Sequence, residues 1–141
     1  MASTQLGEHV ALRKLIWVGP LTIVLTAIVN LIIRTIAVSI FGVSATFQYL
    51  QASQVIGGTI VFLLMALLAF VLVNRFARRP IRFYRLLALV ALCISLLSPV
   101  MALVGLFPAP GMSLSIFWTM IVMHLVSTVI VVGLLTTLAC E

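Results

Sequence analysis

Four apolar runs, each about as long as a bilayer core requires, leave this chain few folds to choose from. In hydrocarbon every backbone N–H and C=O must be satisfied within the protein, so an uninterrupted run of ~20 apolar residues has to be a helix. The runs cover residues 15–38, 55–74, 86–107 and 114–139, behind a more polar segment 1–14. The expected fold is all-α: one transmembrane four-helix bundle over residues 15–141, preceded by a short N-terminal segment. Composition argues against a soluble alternative, because 65% of the 141 residues are hydrophobic and 7% are charged, whereas a soluble domain keeps roughly a quarter of its positions charged. Pro20 in the first run and Pro99 in the third fit this reading, since neighbouring helices can re-satisfy a carbonyl that proline leaves open.

Charge orients the bundle. Five of the eight basic residues, Arg75, Arg78, Arg79, Arg82 and Arg85, crowd the connection between the second and third runs. Lys and Arg are retained on the cytoplasmic side, and Arg13 and Lys14 before the first run agree with the hinge. Only Arg34 leans the other way. With an even number of spans, both termini are expected in the cytoplasm, in a multi-pass protein of the plasma membrane. The first run exceeds the ~7–15 apolar residues of a signal peptide and no cleavage site follows it, so it is expected to stay. A net charge of +6 does not imply nucleic acid, because the charge is confined to membrane-flanking positions with no polar domain beside it. The partners it implies are membrane lipids, with each hinge arginine contributing ~1 kcal/mol near an anionic surface.

Aromatic residues mark the expected edges, with Trp17 and Tyr84 at inner boundaries and Trp118 at an outer one. The outer connection 39–54 carries Phe41, Phe47, Tyr49 and Leu50 and is expected to lie on the membrane surface. The other outer connection, with Pro108, Pro110 and Gly111, reads as a tight turn. Helices in a bilayer associate through small side chains. Ala88, Ala91, Ser95, Ser98, Ala102 and Gly105 recur at spacings of 3 and 4, which predicts a seam at the centre of the bundle. There is no recurring motif of repeat length.

Ionisable and strongly polar groups at membrane depth are costly, at least ~2.5 kcal/mol for a charge on insertion scales. Asn30, Arg34, Ser98 and His124 are therefore the candidate ligand-binding residues. Counting from the expected outer ends, Asn30 and His124 both fall about 13 Å deep at ~1.5 Å per residue. Ser98 is at a similar depth, and Arg34 and Thr59 are about one turn shallower. Thr22, Thr26, Asn30 and Arg34, spaced by four, form one stripe expected to face protein. Ser127 and Thr128 follow one turn beyond His124. A cavity lined by these groups would be electropositive. Each residue also has a plainer reading. Arg34 can snorkel to the headgroups, His124 can be a neutral ring bonded to Asn30, Ser98 or a carbonyl, and Asn30 can be interhelical glue.

Several chemistries are missing. The only acidic residues, Glu8 and Glu141, stand near the chain ends, so no carboxylate pair can perform acid–base hydrolysis. Cys93 and Cys140 form no CxxC motif. His124 has only Met120 and Met123 as soft neighbours, a poor metal site, and a haem would need His124 from two subunits, His9 being in the tail. No catalytic residue, metal or cofactor is predicted, and the chain is not expected to be an enzyme. Small multidrug exporters carry an embedded glutamate in the first helix that is absent here. Fluoride channels insert in both orientations, against the charge bias, and quinone-linked disulfide enzymes need cysteine pairs.

Trp17 to Pro20, Asn30, the Arg78, Arg79, Pro80 triplet, Ser95 to Pro99 and the Met123, His124 pair together carry a resemblance over nearly the whole chain. In these features the sequence resembles an uncharacterised bacterial family of four-span membrane proteins, a domain of unknown function. The resemblance implies a four-span topology in a bacterial plasma membrane and no activity. The expected role is that of a non-enzymatic integral membrane protein whose polar layer holds the bundle together and receives a small polar or lipid ligand. The alternatives are an accessory subunit of a larger membrane complex and a transporter or channel subunit working as a homo-oligomer.

Overall fold

The computed structural model describes residues 12–139. The readings placed on Glu8, His9, Cys140 and Glu141 lie outside the described residues. Four helices follow one another: α1 (Leu15–Ile40), α2 (Ala52–Phe76), α3 (Pro80–Leu103) and α4 (Leu114–Leu138). All four are long and apolar enough to cross a membrane. The protein is an all-α, multi-pass integral membrane protein.

Local chemistry sets the ends that hydrophobicity alone leaves loose. α3 begins at Pro80, six residues before the third apolar run, because proline is preorganised for the first helical turn and lacks the N–H that would go unpaired there. Arg82 and Arg85 therefore sit on α3, and the hinge shrinks to residues 77–79. α3 also stops earlier than its apolar run, at Leu103. Gly105 takes a left-handed φ of 79°, while its N–H bonds to the Ala102 carbonyl at 3.4 Å and the Leu106 N–H to the Met101 carbonyl at 2.9 Å. That pair of bonds is a Schellman closure. α4 starts where the Ser113 hydroxyl accepts the Ile116 N–H at 3.3 Å.

The helices form a square. α1 and α3 each pack against α2 and α4, and α2 and α4 scarcely meet across the diagonal. Two apolar clusters close the ends. At the hinge end Val18, Phe70, Val73, Tyr84 and Leu135 pack together. At the distal end Ala37, Val55, Ile116 and Met123 pack with Val43, Phe47 and Leu50 of the α1–α2 connection. That connection, with a 3₁₀ turn at Gln48–Leu50, tucks Val43, Phe47 and Leu50 between the helix ends and leaves Phe41 exposed. These three side chains find more burial between helix ends than beside them.

Tyr84, expected at an inner boundary, turns its ring into the bundle. Because α3 starts early, residue 84 is already inside the bundle and 3% exposed. Its ring stands edge-on to Phe70 with centroids 4.8 Å apart, and its hydroxyl donates to the Ala66 carbonyl at 3.3 Å. Trp17 and Trp118 stay exposed.

Candidate functional site

On α1 the stripe of fours turns inward, and Thr22, Thr26 and Asn30 are all buried. Asn30 is the centre of a polar layer. Its Nδ2 donates to Thr59 Oγ1 on α2 at 3.1 Å and to Ser127 Oγ on α4 at 3.0 Å. Ser127 Oγ in turn donates to Asn30 Oδ1 at 3.2 Å. The Thr59 hydroxyl also donates to the Val55 carbonyl at 2.6 Å. Three helices thus meet in one fully satisfied cluster, the arrangement a low-dielectric interior demands.

His124 is not part of that cluster. It lies one turn before Ser127, half-buried, and its carbonyl accepts the Thr128 hydroxyl at 2.9 Å. Its ring makes no hydrogen bond with the described residues and faces a cleft of ≈ 480 Å³ enclosed chiefly by α2, α3 and α4. α3 creates this cleft. Its buried residues are Pro80 and Tyr84 at one end and Pro99 near the other. Between these anchors Ala88, Ala91 and Ser95 line the opening. The small-residue face expected to be a tight central seam is instead the wall of a cavity. Short side chains that face no close partner leave volume unfilled.

Ser98 and Arg34 stand apart from this cleft. Ser98 is exposed and does not line it, because Pro99 is the residue that packs inward at that level and its neighbour is turned outward. Arg34 is half-buried, with Nε donating to the Leu50 carbonyl. It ties the α1–α2 connection to the helix that precedes it. No charged side chain lines the cleft, so its surface is uncharged, where an electropositive one was expected. Asn30 and His124 remain on its wall with Thr59, Ser127 and Thr128.

The basic residues at the hinge divide in a way the sequence does not announce. Arg75 lies over the Phe76 ring, 5.8 Å from its centroid. Arg85 reaches across to α4, Nη2 to Thr136 Oγ1 at 3.5 Å. Arg78, Arg79 and Arg82 border an open groove at the α2–α3 junction. No group of three metal-ligating side chains occurs among the described residues.

No curated protein and no solved structure matches the chain. The family comparison does, over residues 10–139, and with its four apolar helices the chain belongs to the family of unknown function DUF6069.

Proposed function

We propose that this protein is a non-enzymatic component of the plasma membrane, both termini cytoplasmic, that receives an uncharged and mostly apolar molecule, a lipid or lipid-like compound, in the cleft beside His124. The observation that carries the reading is the His124 ring itself. The ring is half-buried, borders a mostly apolar cleft and has no hydrogen-bond partner among the described residues, whereas a polar group in apolar surroundings normally finds one. A ligand with a single carbonyl or hydroxyl would supply that partner while its hydrocarbon covered the walls offered by Ala91, Met120 and Met123.

The non-enzymatic part is supported by the neighbours of His124. Both hydroxyls nearby are already engaged, Ser127 with Asn30 and Thr128 with the His124 carbonyl. Neither is poised as a nucleophile toward the ring. The orientation is supported by Arg13, Lys14 and all five hinge arginines gathering at one end of the square, with Arg34 alone at the other.

The test is photo-crosslinking in nanodiscs with a diazirine-bearing diacylglycerol. Adducts on Ala91, Met123 or His124 are expected, and Ala91→Trp, which fills the cleft, should remove them. Adducts confined to the lipid-facing side of α3, unchanged by Ala91→Trp, would defeat the reading.

A further inference from the structure

The hinge end carries a second concavity, separate from the cleft beside His124. It is an open groove of ≈ 700 Å³ between the last turn of α2 and the first turns of α3. Leu72, Phe76, Phe83 and Leu86 give it apolar walls, and Arg78, Arg79 and Arg82 give it a basic rim. All three arginines are exposed. The sequence has no acidic residue other than Glu8 and Glu141, so no carboxylate among the described residues neutralises them. α3 begins at this groove without an acidic side chain in its first turn, and the positive end of its dipole adds to the charge of the rim.

An orientation signal needs positive charge near one membrane face and no shaped surface. Three of the five hinge arginines nevertheless border a hydrocarbon-walled groove, while Arg75 and Arg85 do not line it. A phosphate with acyl chains attached complements both features at once. We propose that the groove is a binding site for an anionic phospholipid, its phosphate held by Arg78, Arg79 and Arg82 and an acyl chain lying along Phe76, Phe83 and Leu86. Guanidinium forks match phosphate oxygens in a bidentate way that a diffuse field does not require. A zwitterionic lipid brings the same phosphate but also its own cation, which the arginines of the rim repel.

The test titrates the full-length protein, purified in mild detergent, with dioleoyl phosphatidylglycerol or dioleoyl phosphatidylcholine and reads retained lipid by native mass spectrometry. Phosphatidylglycerol is expected to be held about tenfold more firmly. The triple variant Arg78→Gln, Arg79→Gln, Arg82→Gln should lose that preference, and the double variant Arg75→Gln, Arg85→Gln should keep it. Equal loss in the two variants would mean diffuse charge and would overturn the proposal, as would phosphatidylcholine retained as firmly. Inorganic phosphate competing as well as the lipid would mean an anion site without acyl contact, also against it. Because removal of three arginines can disturb insertion, Leu86→Trp fills the groove with every charge in place. Unchanged phosphatidylglycerol retention by the folded Leu86→Trp protein would sink the idea.

Discussion

Asn30 of α1 and Ser127 of α4 hold one another by hydrogen bonds in both directions, Nδ2 to Oγ at 3.0 Å and Oγ to Oδ1 at 3.2 Å. Removing one partner leaves the other unpaired inside the bundle, so the two residues should be energetically coupled. A double-mutant cycle with Asn30→Ala and Ser127→Ala, read by unfolding in mixed micelles, should give a coupling of about 0.6 kcal/mol, rising to about 1.7 at most. Strictly additive losses would show that the pair is not joined.

Arg34 serves the α1–α2 connection through its bond to the Leu50 carbonyl. Arg34→Ala should leave the four helices in place and free residues 43–50. A hydrogen bond to a charged donor contributes about 1.5–3 kcal/mol, which corresponds to amide exchange roughly ten- to a hundredfold faster there. Exchange measured peptide by peptide should show the change in this connection and leave the centres of α2 and α4 untouched. If Arg34 instead only snorkelled to headgroups, protection of Val43, Phe47 and Leu50 would not respond.

These two residues show how far the sequence reaches. The cost of polar groups in hydrocarbon marks Asn30 as interior, and the spacing of Thr22, Thr26 and Asn30 marks the face of α1 that meets protein. The partners depend on how α2 and α4 are rotated about their own axes, and α4 has apolar residues all round. Nothing in its pattern says that Ser127, and not His124, turns toward Asn30. The small residues of α3 were ambiguous for a related reason. Alanine and serine in register permit close approach, but whether a neighbour approaches depends on where Tyr84 and Pro99 anchor the helix. The inward packing of Tyr84 is illegible for a further reason: hydropathy begins the helix at an apolar residue, whereas Pro80 begins it among arginines.

Thr26 is fully buried, and its hydroxyl has no hydrogen-bond partner. The other inward threonines on these helices return their hydroxyls to a carbonyl, Thr22 to Val18 at 2.7 Å and Thr59 to Val55 at 2.6 Å. Thr26→Val keeps the shape and removes an unsatisfied polar atom, so it should stabilise the bundle by about 1 kcal/mol. Thr59→Val, which takes an acceptor from Asn30, should destabilise by a similar amount. Resistance to denaturing detergent, compared for the two variants, checks the opposite signs. A loss of stability in Thr26→Val would mean that its hydroxyl is bonded after all.

Two glycines separate a backbone effect from a packing effect, because a Cβ added at Gly105 or at Gly133 would meet nothing within 4 Å. Gly105 closes α3 at a φ of 79°, a region where an L side chain costs roughly 1–2 kcal/mol. Gly133 lies within α4 at ordinary helical geometry, where alanine is better than glycine by roughly 0.5–1 kcal/mol. Gly105→Ala should therefore loosen the end of α3, and Gly133→Ala should tighten α4, although neither substitution touches another side chain. Because Pro99 anchors α3 six residues before Gly105, the loss in Gly105→Ala should appear as faster amide exchange of Leu106 and Phe107, whose N–H groups bond to the Met101 carbonyl. Equal and opposite shifts in stability are not required, but opposite signs are. Two losses would place a neighbour against Gly133 that only a second helix or a second copy of the chain could provide.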